Sequence, residues 1–281
     1  SLALRHDDLW TYHEDAGKAA LEQQVSLMGE LDIAIERGDL EVLYQPKLEL
    51  AIDRITSAEA LIRWNHPARG YLRPDSFIPL AEESNRIGEL TLFVLRRAIY
   101  DLGEWGARGV TIRTAVNISA RLISSPEFVA EVERMIATTG VAADRLIFEI
   151  TESATLRDPE GARAALLRFR ELGVAISMDD YGTGQSTLSY LKNLPLSELK
   201  IDRSFVQHAH QDHNDALLVR STVELAHQLG LQVVAEGIEE AECLAFLRAI
   251  GCDYAQGYFI GKPMAGDELV ETIARASQQA A

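Results

Sequence analysis

The chain has 281 residues, 47% of them hydrophobic, which is enough to bury a full core, and one α/β barrel commonly takes about 250 residues. Its formal net charge is −16, from 27 basic and 43 acidic residues, which argues against sequence-independent binding of polymeric nucleic acid, where Lys and Arg neutralise phosphates. Cys243 and Cys252 have no CxxC spacing, so neither a disulfide framework nor a zinc site is suggested, and no apolar run approaches the roughly 20 residues that cross a bilayer, so a cytoplasmic location is expected.

Residues 1–18 are polar and without period and read as a leader or linker from an upstream region; residues 19–281 read as one domain. From Ala19 to Arg37, Leu21, Val25, Met28, Leu31 and Ile35 follow helical spacing, and Gly38 and Asp39 stop the run. Leu40 to Leu48 and Arg54 to Trp64 read as strands. With the turn residue Asp53 between them, two strands so close should pair antiparallel. After the loop NHPARGYLRP come helices at 75–83 and 87–105. Strands at 111–118, 145–151, 174–180, 197–202, 231–236 and 253–256 then alternate with helices at 126–139, 159–172, 187–192, 213–229, 240–250 and 267–278. Gly140, Gly173, Gly230 and Gly251 sit where a helix hands over to a strand. The pattern predicts parallel β/α units closed into a TIM-like (β/α)8 barrel with one antiparallel strand near the N-terminus.

Within the strands, alternation separates an aliphatic face from a smaller or more polar one. The second set runs Arg113, Ala115, Asn117; Ile147, Glu149, Thr151; Glu198, Lys200, Asp202; and Gln232, Val234, Glu236. In a closed barrel one face meets the helices and the other the centre, so these groups are expected to converge. The stretch GVAISMDDYGTGQSTL (173–188) ends a strand in Asp179 and Asp180. Adjacent acids repel unless a positive charge lies between them, and oxygen-rich clusters suit a hard divalent cation. His208, His210 and His213 lack fixed ligand spacing and read as a solvated loop, and His66 before Pro67 as loop packing.

Motifs in a fixed order carry a resemblance: YQPK (44–47), EALIRW (59–64), FIPLAEE (77–83), VNIS (116–119), EITE (149–152), DDYGTG (179–184), LKID (199–202), AEGIE (235–239) and QGYFIGKP (256–263). Over about residues 19–281 the chain resembles the EAL domain family of cyclic di-GMP phosphodiesterases. The resemblance implies a metal held by Glu59, Asn117, Glu149 and Asp179, with Asp179 bridging to a second metal and Asp180 and Glu236 beside it. It also implies that Lys200 holds the attacking water, that Gln45, Leu61, Arg63, Asp202, Gln256 and Pro263 lie around the dinucleotide, and that Glu239 and Pro263 support the pocket. Glu152, on the opposite parity from Glu149, would steady the loop after the paired aspartates. Gln185 and Thr187 depart from the family's usual residues.

The chemistry implied is hydrolysis of cyclic di-GMP to linear pGpG. Two cations neutralise the phosphoryl oxygens, in-line attack is by an activated water, and Glu236 is suited to order a metal or take a proton. Oxygen ligands with one amide favour Mg2+ or Mn2+, and Ca2+ is expected to inhibit. A catalytically weak cyclic di-GMP receptor is the main alternative, separated by loss of metal ligands, none of which is lost here. An enolase-type barrel is remote from the motif order. A homodimer and an upstream GGDEF or sensory domain are compatible with the family.

Overall fold

The computed structural model describes residues 26–31, 33–151, 158–181 and 191–279. Two compact units are distinguished, one ending at Glu41 and resuming over Ile62–Leu90, the other comprising Val42–Leu61 and the chain from Thr91 onward.

Nine strands form one sheet in the order β1-β9-β8-β7-β6-β5-β4-β2-β3, and a further β1 to β2 pairing closes eight of them into a barrel. The strands are β1 (Leu40–Glu49), β2 (Arg54–His66), β3 (Gly70–Leu72), β4 (Arg113–Asn117), β5 (Leu146–Thr151), β6 (Ala175–Tyr181), β7 (Glu198–Ile201), β8 (Gln232–Ala235) and β9 (Tyr254–Gln256). From β2 through β4 to β9 the barrel pairs are parallel, while β1 runs antiparallel to β9. The expected TIM-like barrel with one antiparallel strand is therefore observed. Asp53, in the left-handed region with φ 54°, turns the chain between β1 and β2.

The sequence reads 65–74 as loop, whereas Gly70–Leu72 returns along the end of β2, pairing Trp64 with Leu72 and His66 with Gly70. Three residues beside glycine and proline are too short for an alternation to register. Helices α1 (Pro74–Glu83), α2 (Ile87–Ala107), α3 (Pro126–Thr139), α4 (Pro159–Glu171), α5 (Arg203–Val206), α6 (His213–Gln228), α7 (Ala241–Ala249) and α8 (Gly266–Gln279) follow the expected spans within one or two residues, α5 excepted. Residues 26–31 and 33–37 are helical, as expected for the described part of 19–37. The expected helix at 187–192 lies largely outside the described residues.

Local chemistry explains the boundaries. Ser125 caps α3 by accepting from Phe128 N, with Pro126 opening the helix and Gly140, at φ 71°, closing it. Asp212 caps α6 by accepting from the amides of Asn214 and Asp215 at 2.8 and 3.0 Å. The outward face of the strands is aliphatic or aromatic and packs on these helices. Phe148 of β5 meets Phe169 of α4 edge to face at 5.0 Å, and Tyr44 of β1 meets Trp105 of α2 at 4.8 Å. Inside, Ala115, Ile147 and Ala175 form a small apolar cluster. Above it the inward positions turn polar.

The turn after β9 lies hard against the turn after β8. A Cβ on Gly257 would come within 2.2 Å of both Ile238 N and Ile238 O, while Ile238 N donates to Gln256 O and Phe259 N to Ile238 O. Gly257→Ala should therefore force the two backbones apart and lower the unfolding free energy by about 1–3 kcal/mol, the usual range for overpacking. Urea denaturation checks this; stability equal to that of the parent would show that the two turns can separate freely.

Candidate functional site

Strand register brings the polar inward positions to one level. Asn117 lies opposite Glu149 in the β4–β5 pair, and Lys47 lies opposite Gln256 in the β1–β9 pair. β6 shifts register against β7 between Met178 and Tyr181, and Asp180 there adopts φ 57°. Irregularities of this kind re-aim side chains at a strand end, and a short polar side chain such as Asp tolerates the left-handed region. Asp179 Oδ1 accepts from the Asp180 amide at 3.0 Å.

Lys200 is at the centre. Its buried ammonium lies 2.7 Å from Glu236 Oε1, 2.9 Å from Glu149 Oε2, 3.1 Å from Asp179 Oδ1 and 3.7 Å from Glu59 Oε2. A second buried ammonium, Lys47, lies 2.5 Å from Glu149 Oε1. Glu59 accepts from Asn117 Nδ2 through Oε1 and from Gln256 Nε2 through Oε2, both at 2.7 Å. Gln256 Nε2 also reaches Gln45 Oε1 at 3.2 Å, and Gln45 donates to the Gly261 carbonyl at 3.3 Å. The backbone of Met264, next to Pro263, exchanges hydrogen bonds with Tyr44 at 2.8 and 3.0 Å.

These contacts decide the protonation states. Burial alone raises the Glu149 carboxyl, but Lys200 and Lys47 outweigh it and hold it down to about 2. Burial lowers the Lys200 ammonium, yet its acidic partners, Glu149 foremost, raise it well above its ordinary value. Burial and the neighbouring Glu149 charge push Glu59 up. Burial, then Asp179 and Glu59, push Glu236 up to about 7 against the pull of Lys200. Burial and Asp179 raise Asp180.

The donor set fits a divalent cation. Carboxylates from Glu59, Glu149, Asp179, Asp180 and Glu236 outnumber the two ammonium groups of Lys47 and Lys200. With the Asn117 NH2 turned to Glu59, its amide oxygen faces away from that carboxylate. Gln256 Oε1 is buried with no hydrogen-bond partner. Among the described residues no three His, Cys, Asp or Glu are already spaced as a cation cage; the acids instead converge on Lys200, which supplies positive charge where a cation would.

Other expected positions are placed as follows. Asp202 caps α5, its Oδ1 accepting from Ser204 N at 3.0 Å and Ser204 Oγ at 2.5 Å. Glu239 is exposed and 3.4 Å from Gln207 Nε2. Leu61 ends the barrel part of β2 on the parity of Glu59. Arg63 belongs to the unit of residues 62–90, where it donates to the Ile62 carbonyl at 2.8 Å. Glu152 and the loop positions Gly182, Thr183, Gly184, Gln185, Ser186 and Thr187 lie outside the described residues. In the histidine tract, His210 pairs with Glu240 at 3.1 Å. Sequence reading missed Lys47. Its signal was its parity, two residues from Gln45 on the inward face of β1.

A barrel with buried acids and a lysine gathered at the C-terminal end of its strands has the arrangement of a catalytic barrel rim. Residues 28–263 match the model of the EAL domain, and the chain belongs to that family. It is 37% identical over 268 residues to cyclic di-GMP phosphodiesterase PA2567 of Pseudomonas aeruginosa, covering 95% of this chain and 46% of the relative. It is 36% identical over 266 residues to the bifunctional diguanylate cyclase/cyclic di-GMP phosphodiesterase MucR of the same organism, covering 94% and 39%. Among solved structures, a PaMucR phosphodiesterase in complex with c-di-GMP matches with a TM-score of 0.83 at 38% identity, covering 87% of this chain and 99% of that one. The chain thus spans less than half the length of these curated relatives. Among the described residues no helix is long and apolar enough to cross a membrane.

The Glu236 carboxyl, near 7 when folded, titrates near 4.3 in an unfolded chain. Between these values the folded state holds the extra proton, so this group's contribution to stability falls as pH rises from about 4 to about 7. In EDTA, Glu236→Gln should lessen the decline in melting temperature across that window. An unchanged slope would assign the decline to other groups.

Proposed function

We propose that this chain hydrolyses cyclic di-GMP to linear pGpG with Mg2+ or Mn2+, two per site. The observation that carries the reading is the convergence of four carboxylates on the buried Lys200 ammonium at the strand ends of an EAL-family barrel. Glu59, Asn117, Glu149 and Asp179 would hold one cation, with Asp179 shared and Asp180 and Glu236 serving the second. Bound there, such ions neutralise phosphoryl oxygens and make a water acidic enough to attack at neutral pH.

The chain's own groups do the rest. Lys200, fully protonated, donates hydrogen bonds to the attacking water and stabilises charge that develops in the transition state. Glu236, 2.7 Å from the Lys200 ammonium, accepts that water's proton at a carboxylate oxygen. Gln256 and Gln45, already linked to each other and to Glu59, offer amide groups to the dinucleotide, with Leu61, Asp202 and Pro263 supplying further contacts. Glu152 would steady the loop that follows Asp180. Presentation as a homodimer behind a GGDEF or sensory domain belongs to the same proposal for the whole protein.

Chromatography of cyclic di-GMP incubated with the protein and Mg2+ should show conversion to pGpG; retention of intact dinucleotide on the protein would make it a receptor instead. Replacing Mg2+ with Ca2+ should cut turnover at least tenfold, since longer, looser bonds spoil the geometry of in-line attack. Lys200→Ala should lower kcat by about a hundredfold or more with little change in KM, because its charge acts on the transition state. A rise in KM alone would make Lys200 a substrate-binding group.

A further inference from the structure

We infer that Lys47 is a positioning residue that fixes Glu149 to present one carboxylate oxygen, Oε2, toward the cation side of the site. This rests on the proposed cation dependence but assigns a role to a residue outside the ligand set.

The two lysines on Glu149 differ in their other partners. Lys200 divides its charge among Glu236, Glu149, Asp179 and Glu59 over 2.7 to 3.7 Å. Its charge is thus committed to no single carboxylate. Lys47 ion-pairs with Glu149 at 2.5 Å through Oε1, and with side chains 1% and 0% exposed, water cannot take over either end of that pair. A carboxylate free to rotate can chelate a cation with both oxygens or offer either one. With Oε1 committed below, only Oε2 is available above.

The backbone supports the assignment. β1 is the antiparallel strand, so successive inward residues descend into the barrel: Gln45 at the rim, then Lys47 opposite Gln256, then Glu49 opposite Tyr254. Lys47 therefore approaches Glu149 from the interior, and Lys200 approaches the other oxygen. Deeper still, Arg113 pairs with the buried Glu198 at 3.1 Å. Lys47 thus stands between two acidic levels and adds positive charge to both.

The test is a double-mutant cycle read by Mn2+ affinity in calorimetry, with K47M, E149Q and the double variant, and with folding checked by circular dichroism. K47M should weaken Mn2+ binding about tenfold and lower kcat for cyclic di-GMP at saturating Mn2+ at least tenfold, with KM within threefold. In the E149Q background the same substitution should change Mn2+ affinity less than twofold, and K47R should recover part of both losses. If K47M does not fold, K47Q, which keeps a hydrogen-bond donor, replaces it in the cycle under the same thresholds, and K47R against the parent is read alongside. Parent-like Mn2+ affinity and kcat in the folded variant, or an equal Mn2+ effect in both backgrounds, overturns the assignment. A parent that binds Mn2+ but leaves cyclic di-GMP intact sinks the proposed substrate and leaves Lys47 to be judged on Mn2+ alone; a parent that binds no Mn2+ sinks both.

Discussion

Acidic side chains cannot be gathered inside a barrel without a cation among them. Two like charges 4 Å apart repel by about 4 kcal/mol even at an effective dielectric of 20, and burial adds a desolvation cost for each. Lys200 answers both costs at once, touching Glu236, Glu149 and Asp179 within 3.1 Å. The remaining imbalance is visible in the neighbours: burial and adjacent acids push Glu59 and Glu236 toward the protonated form, while Glu149, shared between two ammonium groups, stays charged. A site in this condition is organised for positive charge before any ion arrives, which limits the reorganisation that binding requires.

The backbone devices that build it are few. Parallel strands deliver Asn117 and Glu149 in register, with Lys200 one inward position beyond the level of Glu149, the shift at the end of β6 turns the paired aspartates, and the antiparallel β1 feeds Gln45 and Lys47 down from the rim. Helix caps and aromatic contacts such as Phe148 on Phe169 hold the outer layer. They fix the frame without touching the chemistry.

Most of this was legible in the sequence because both signals are local. Alternation in strands such as RTAVN and LIFEIT marks which side faces inward, and glycine after each amphipathic run marks where helix yields to strand. The hairpin could be read from the short spacing of β1 and β2. What escaped was whatever depends on distant partners or on very short segments. Nothing near Lys47 in the sequence marks its partner, because Glu149 lies 102 residues later and meets it only in the folded barrel. The three residues of β3 carry no period. The helix-capping contact of Asp202, whose oxygen accepts from the Ser204 amide and hydroxyl, is a second role that the motif does not announce. The strand parity places Lys200 among converging acids, but does not show that four carboxylates lie within 3.7 Å of its ammonium.

The hydrogen bond from Gln256 to Glu59 joins residues 197 apart, and it crosses the seam where β9 meets the hairpin of β1 and β2. Contacts across this seam close some of the longest loops in the structure, 216 residues between Gln45 and Gly261, and carry a correspondingly high loop-closure entropy. The seam that shuts the barrel is also the seam across which Gln45, Glu59 and Gln256 meet. A chain emerging from the ribosome therefore acquires its acids early and its finished site only once the ninth strand is out. No partly folded form with an open barrel carries the finished site.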